Sequence, residues 1–197
     1  MTIRHVFFLL LLLTSSSCFA LLGAPINTSS YAFGTGPASV TITDPDGERT
    51  TTHSSNLMSL AYSDWWHQDI RYWLQWQLLN ADSQARGQEV GQSIQQQSVS
   101  LSLQKIWPLH SQFKPWLDIG LQAAYNQYSL RHTISDDGYL QQRFADRSSL
   151  SLGLITAMQA QWEMQHDWSV GFRAQQTLVP GNNINYRSIN LLLHYQP

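Results

Sequence analysis

The sequence predicts an all-β chain, an antiparallel up-and-down barrel of eight strands preceded by a cleavable signal peptide. Three observations carry this prediction. Apolar and polar residues alternate one for one in segment after segment, no segment shows the apolar spacing of an amphipathic helix, and the connections alternate between short and long.

The chain has 197 residues, 43% hydrophobic and 12% charged, with a formal net charge of -2, which fits one domain. Charged residues stand at about half their usual share. Ser, Gln and Asn take the polar role, and this balance argues against a nucleic-acid partner. The single cysteine, Cys18, excludes an internal disulfide framework and a multi-cysteine zinc site.

The first element is a targeting segment. Arg4 and His5 precede the apolar run Val6 to Leu13, and small residues lead to Ala20, the n-region, h-region and cleavage site of a secretory signal. The run is far shorter than the roughly 20 apolar residues of a membrane-crossing helix. Residues 1–20 are therefore expected to be the signal peptide and residues 21–197 the barrel domain. Acylation of Cys18 is the rival reading, but a lipobox wants an aliphatic residue where Ser15 stands.

Two irregular strands come first, Tyr31 to Thr43 and Asn56 to Ser63. Then the alternation becomes strict. Ile70, Tyr72, Leu74, Trp76 and Leu78 are set against Arg71, Gln75 and Gln77, and Val99, Leu101 and Leu103 against Ser98, Ser100, Ser102 and Gln104. Leu117, Ile119, Leu121, Ala123 and Tyr125 oppose Asp118, Gly120, Gln122 and Asn126. The last three segments carry their apolar faces on Leu150 to Trp162, on Trp168, Val170, Phe172 and Ala174, and on Ile189, Leu191, Leu193 and Tyr195. Eight strands are the smallest number that closes a transmembrane barrel.

The turns near Trp65, Pro108 and Gln165 are short and lack glycine. The connections near Asp44 to Glu48, Asn80 to Ser93, Asp136 to Gly138 and Pro180 to Asn183 are mostly longer and rich in turn formers. Trp65, Trp66, Trp107, Trp116, Trp162 and Trp168 fall at or beside the short turns, with Tyr195 at the same end. Indole rings favour the headgroup level, so this band is expected to be an aromatic girdle on the periplasmic side of a transmembrane barrel. A soluble, secreted, lipocalin-like binding barrel with its apolar face inward is the alternative, because alternation alone does not say which face points out.

The segment Phe113-Lys114-Pro115-Trp116-Leu117-Asp118-Ile119-Gly120-Leu121 resembles the Pro-aromatic lead into a central strand with a Gly-rich inner face found in the small eight-stranded outer-membrane β-barrel family, typified by OmpX, OmpW and the membrane domain of OmpA. Gln122 stands where a second glycine is common, and the chain runs past Tyr195 to Gln196 and Pro197 where the family's assembly signal usually ends on an aromatic residue. The resemblance implies a Gram-negative outer-membrane location, insertion by the barrel-assembly machinery and outer-membrane lipid and lipopolysaccharide as neighbours. It does not imply one activity.

Chemistry-bearing motifs are absent from the sequence: no nucleophile elbow, no phosphate-binding loop, no paired-cysteine or metalloprotease motif. Asp44-Pro45-Asp46-Gly47-Glu48 reads as a turn, not a calcium loop. His67, His110 and His166, one per short turn, are spaced too far around a rim to share a metal. No cofactor, metal or catalytic residue is expected, and a monomer is expected. The leading functional reading is a structural or surface-interaction protein, with Arg49, Arg86, Arg131, Arg143, Arg147 and Arg187 on the loop side as candidate lipopolysaccharide contacts. A small-solute pore is opposed by the narrow lumen of eight strands. A lipid A-modifying enzyme would have to draw on His53 or His132 with Ser54, Ser55, Ser135 or Asp136.

Inside, Arg71, Asp118 and Arg173 fall on polar faces by alternation. A lone charge in a narrow lumen is costly, so Asp118 is expected to pair with Arg173, Arg71 or both as a structural plug.

Overall fold

The computed structural model describes residues 29–43, 49–86, 89–107, 113–165, 167–180 and 184–197. The expected signal segment with Cys18, the Asp44 to Glu48 turn, His110 and His166 lie outside them. The strands are β1 (Ser30–Thr43), β2 (Arg49–His67), β3 (Ile70–Ser83), β4 (Gly91–Ile106), β5 (Phe113–Ile134), β6 (Leu140–Arg143), β7 (Arg147–Gln165), β8 (Trp168–Val179) and β9 (Ile184–Tyr195). All pairings are antiparallel between neighbours, and the sheet closes through β1–β9 and β4–β5. Eight strands make the barrel. The four-residue β6 is additional and pairs with the far end of β5, inside the β5–β7 connection.

The ladder sets the tilt. Followed from Tyr31 through Tyr62, Leu74, Leu101, Leu121, Leu154, Leu178 and Asn185, it returns to β1 at Thr41, ten residues further along. Such a stagger tilts each strand strongly against the barrel axis, as closure of eight strands requires. The same stagger means that residues facing one another across the lumen cannot be matched by counting from strand ends.

The strict alternation separates the faces. Leu101, Ile119, Leu121, Leu154, Phe172 and Leu191 are exposed on the outside, with Leu74 half-exposed beside them. Their polar neighbours Gln75, Ser100, Ser102, Gln122, Arg173 and Asn190 are buried inside. This is the reverse of a lipocalin: the apolar face is outward, and a wall of bare leucine and isoleucine is stable in hydrocarbon and not in water. Gly120 shows how closely the inner layer is fitted. It faces Ser102 of β4, and a Cβ there would run into the Leu101 carbonyl and the Ser102 backbone.

The lumen differs from the expected polar interior at its loop end. Val40, Ile42, Leu57, Leu79, Ala81, Ile94, Tyr128, Val179 and Tyr186 form a buried apolar cluster there. These residues lie in the irregular early strands and at strand ends, where polar and apolar positions do not alternate cleanly in the sequence.

Candidate functional site

The barrel interior is built in three layers. At the short-turn end, Asp118 on β5 and Arg173 on β8 form an ion pair through Oδ2 and Nη1, both side chains fully buried at 0% exposure. Gln104 on β4 donates its Nε2 to the same Oδ2 at 2.7 Å and accepts from Arg71 Nε at 2.5 Å. Arg71 is thus joined to Asp118 through the Gln104 amide and not directly. Its cation is also held by aromatic faces, 3.8 Å from the centroid of Trp116 and 5.4 Å from that of Trp73. Trp73 has Arg173 on it as well, at 5.2 Å, and lies 5.8 Å from the ring of His194.

The middle layer is amides and hydroxyls. Gln122 donates to Ser98 at 2.7 Å and accepts from Thr177 at 2.5 Å, and Gln175 donates to Gln77 at 3.1 Å. Towards the loops, Asn126 accepts from Gln96 at 2.9 Å and from the Tyr186 hydroxyl at 3.1 Å. Above Asn126 the apolar cluster begins. Side chains therefore project into the lumen at all three levels, as a narrow eight-stranded barrel favours.

Trp66, Trp107, Trp162, Trp168 and Tyr195 are exposed at the short-turn end, with Trp168 and Tyr195 rings 5.0 Å apart. Trp116 and Trp65 do not belong with them. Trp116 is 1% exposed and turned inward, and half-buried Trp65 meets it at 5.4 Å, so the pair closes the mouth of the lumen. The parity that puts Asp118 inside puts Trp116 inside too, two residues away on one strand face. Tyr62 and Tyr72, which a search for tryptophan alone passes over, donate to Asp64 at 3.1 and 3.2 Å on the outer face. Sequence reasoning also misses Trp73, Gln104 and His194 as interior partners, although each occupies a polar-face position in its strand.

The arginines divide. Arg86 and Arg143 are exposed at the loop end. Arg131 is not a free loop charge: it is buried, donates to the Ala145 carbonyl at 3.2 Å and lies 5.2 Å from the Phe144 ring. The cause is a bulge at Leu130, whose φ of 56° shifts the register and turns Arg131 to the inner face. Arg147 is half-buried over Tyr128 at 4.6 Å. Arg187 is exposed on the outer wall of β9 and not in a loop. The Arg49 side chain, with those of His53, Ser54 and Ser55, lies outside the described residues. His132 Nδ1 faces the Leu130 carbonyl at 2.7 Å, and Ser135 Oγ accepts from the Tyr139 amide at 3.2 Å, so neither engages the other. Among the described residues no group of three or more His, Cys, Asp or Glu side chains is placed to hold a metal.

No family model and no curated protein matches the sequence. Solved structures do match. Neisserial surface protein A aligns at 14% identity over 85% of this chain and 97% of its own, with a TM-score of 0.55. Ail, the attachment invasion locus protein of Yersinia pestis, aligns at 11% over 87% and 100%, with 0.53. The outer membrane protein OprG from Pseudomonas aeruginosa aligns at 12% over 87% and 97%, with 0.52. With its closed eight-stranded ladder, apolar exterior and filled polar interior, the chain has the fold of the small outer-membrane β-barrels.

Proposed function

We propose that this outer-membrane barrel is a non-conducting structural and surface-interaction protein whose loop end contacts lipopolysaccharide or an external partner. The observation that supports it is the filled lumen: an ion pair, a layer of bonded amides and an apolar cluster follow one another along the axis. Side chains that project into a narrow eight-stranded lumen at each of these levels oppose a solute path. What is left for recognition is the loop end, where Arg86 is exposed in the β3–β4 connection and Arg143, with Tyr139 and Leu140, in the β5–β7 connection. Guanidinium groups suit lipid phosphates because they bind them in a bidentate manner.

In this reading the chain is cleaved after Ala20, inserted by the barrel-assembly machinery and works as a monomer without a cofactor. Planar-bilayer recording on the purified barrel tests it: no stepwise conductance is expected, and discrete channel openings would overturn the non-conducting assignment. Sedimentation with lipopolysaccharide-containing vesicles tests the surface, where Arg86→Gln with Arg143→Gln is expected to weaken binding. N-terminal sequencing of the outer-membrane fraction is expected to begin at Leu21.

A further inference from the structure

The outer wall carries a groove of about 770 Å³ that runs over five neighbouring strands, β5, β7, β8, β9 and β1. Its floor follows one hydrogen-bonded row, in which Asp118 pairs with Ala157, Ala157 with Gln175, Gln175 with Ser188 and Ser188 with Ala38. Alternation points these side chains to the lumen, so the floor is backbone and the outward side chains of the adjoining rows form the edges.

The two edges differ in chemistry. The edge nearer the loops carries Thr156, Gln176, Arg187 and Ser39, which are partners in register. The edge nearer the short turns carries Leu117, Met158, Ala174 and Ile189. Because the ladder gains ten residues per circuit, the row climbs toward the loop end as it passes from β5 to β1. Arg187 therefore sits at the high end of the groove, and Leu117 at the low end, toward the membrane interior. Five strands at about 4.8 Å spacing make a groove about 19 Å long, enough for one extended acyl chain.

The Arg187 guanidinium is exposed at the loop-side edge of the apolar wall, beside Gln176 and Ser39, and among the described residues it forms no ion pair with a carboxylate. A cation on the lipid face is destabilising unless it reaches an anion at the interface. We infer that the groove binds one molecule of lipopolysaccharide, with a lipid A phosphate on Arg187 and one acyl chain lying along the groove toward Leu117. This rests on the reading of the chain as an outer-membrane barrel in contact with lipopolysaccharide, but it moves the contact from the loops to the wall. The polar edge, with Gln176 and Ser39 beside the arginine, provides donors for the sugar and phosphate oxygens, and the apolar edge covers the chain.

The test uses the mature barrel purified from outer membranes in mild detergent, with bound lipid identified by native mass spectrometry. Ala174→Trp fills the groove without changing charge, and Arg187→Gln removes the anchor. Wild type is expected to retain one lipopolysaccharide; Arg187→Gln is expected to reduce retention about tenfold through loss of a charge-assisted phosphate contact, and Ala174→Trp to reduce it by occupying the place of the acyl chain. Both variants are expected to keep the heat-dependent gel shift of a folded barrel, and if Ala174→Trp loses it, Arg187→Gln decides. Folded variants that retain wild-type lipopolysaccharide, or a wild type that retains only phospholipid, would overturn the inference. Loss in the Arg86→Gln, Arg143→Gln double variant alone would also overturn it, while leaving the loop-contact reading in place.

Discussion

Arg71 rests with its guanidinium carbon 3.8 Å from the centroid of the Trp116 ring, and the two close the short-turn mouth of the lumen together. Both side chains are buried, and a cation on an indole face is worth more when desolvated than at an exposed site. Trp116→Ala removes this face and the Trp65 contact at once. Its unfolding free energy in lipid vesicles is expected to fall by about 3–5 kcal/mol. Trp107→Ala, on an exposed ring, is expected to change it by less than about 1 kcal/mol. Equal losses at the two positions would show that burial against Arg71 adds nothing to what an exposed tryptophan contributes.

The Asp118–Arg173 pair is buried on both sides, so removing one partner strands the other. Asp118→Ala is expected to destabilise by about 3–5 kcal/mol, whereas Asp118→Leu combined with Arg173→Met is expected to recover most of that loss. Denaturant unfolding of the three proteins measures the difference. Additive losses in the double variant would mean that the two charges do not act as a pair.

Lipid exposure of the outer face makes the cost of a charge depend on depth. Leu121→Arg, near the middle of the apolar band, is expected to cost about 2–4 kcal/mol, and Leu193→Arg, beside the exposed Tyr195 at the short-turn end, about 0–1 kcal/mol. Reversible unfolding from vesicles resolves the two. A larger loss at Leu193 would invert the assigned depth.

The close approach of β4 and β5 at Gly120 leaves no space for a side chain. Gly120→Val is expected to cost about 1–3 kcal/mol or to block assembly, read as the fraction of protein that shows the heat-dependent gel shift. Wild-type behaviour would place a cavity at this point of the lumen.

Much of the fold is legible in the amino-acid sequence, because its signal is local. Side chains of a strand alternate with a period of two, so strict alternation sorts Ile119 and Leu121 onto one face and Asp118 and Gln122 onto the other, and the closed barrel shows the first face outside and the second inside. The strand count and the asymmetry of the connections follow from turn residues by the same local logic. The inward turn of Trp116 and Trp65 is legible too, since parity places them with Asp118 and Ser63. The attraction of tryptophan to interfaces masks that parity.

Other relationships exist only once the ring is closed. Whether Asp118 meets Arg173 or Arg71 is set by the ten-residue stagger of the ladder, which is a property of eight strands joined in a ring and of no single strand. The bulge at Leu130 turns Arg131 inward against simple alternation, and no motif in the sequence marks it. Arg187 lies three positions from the start of β9 in sequence, yet stagger places it on the wall at the head of a groove and not among the loops. The apolar face of each strand is thus written into the chain itself, as a repeat that needs only neighbouring residues to be read. Contacts across the lumen and along the outer wall arise when the strands tilt and close, because the tilt sets the heights of their side chains relative to one another.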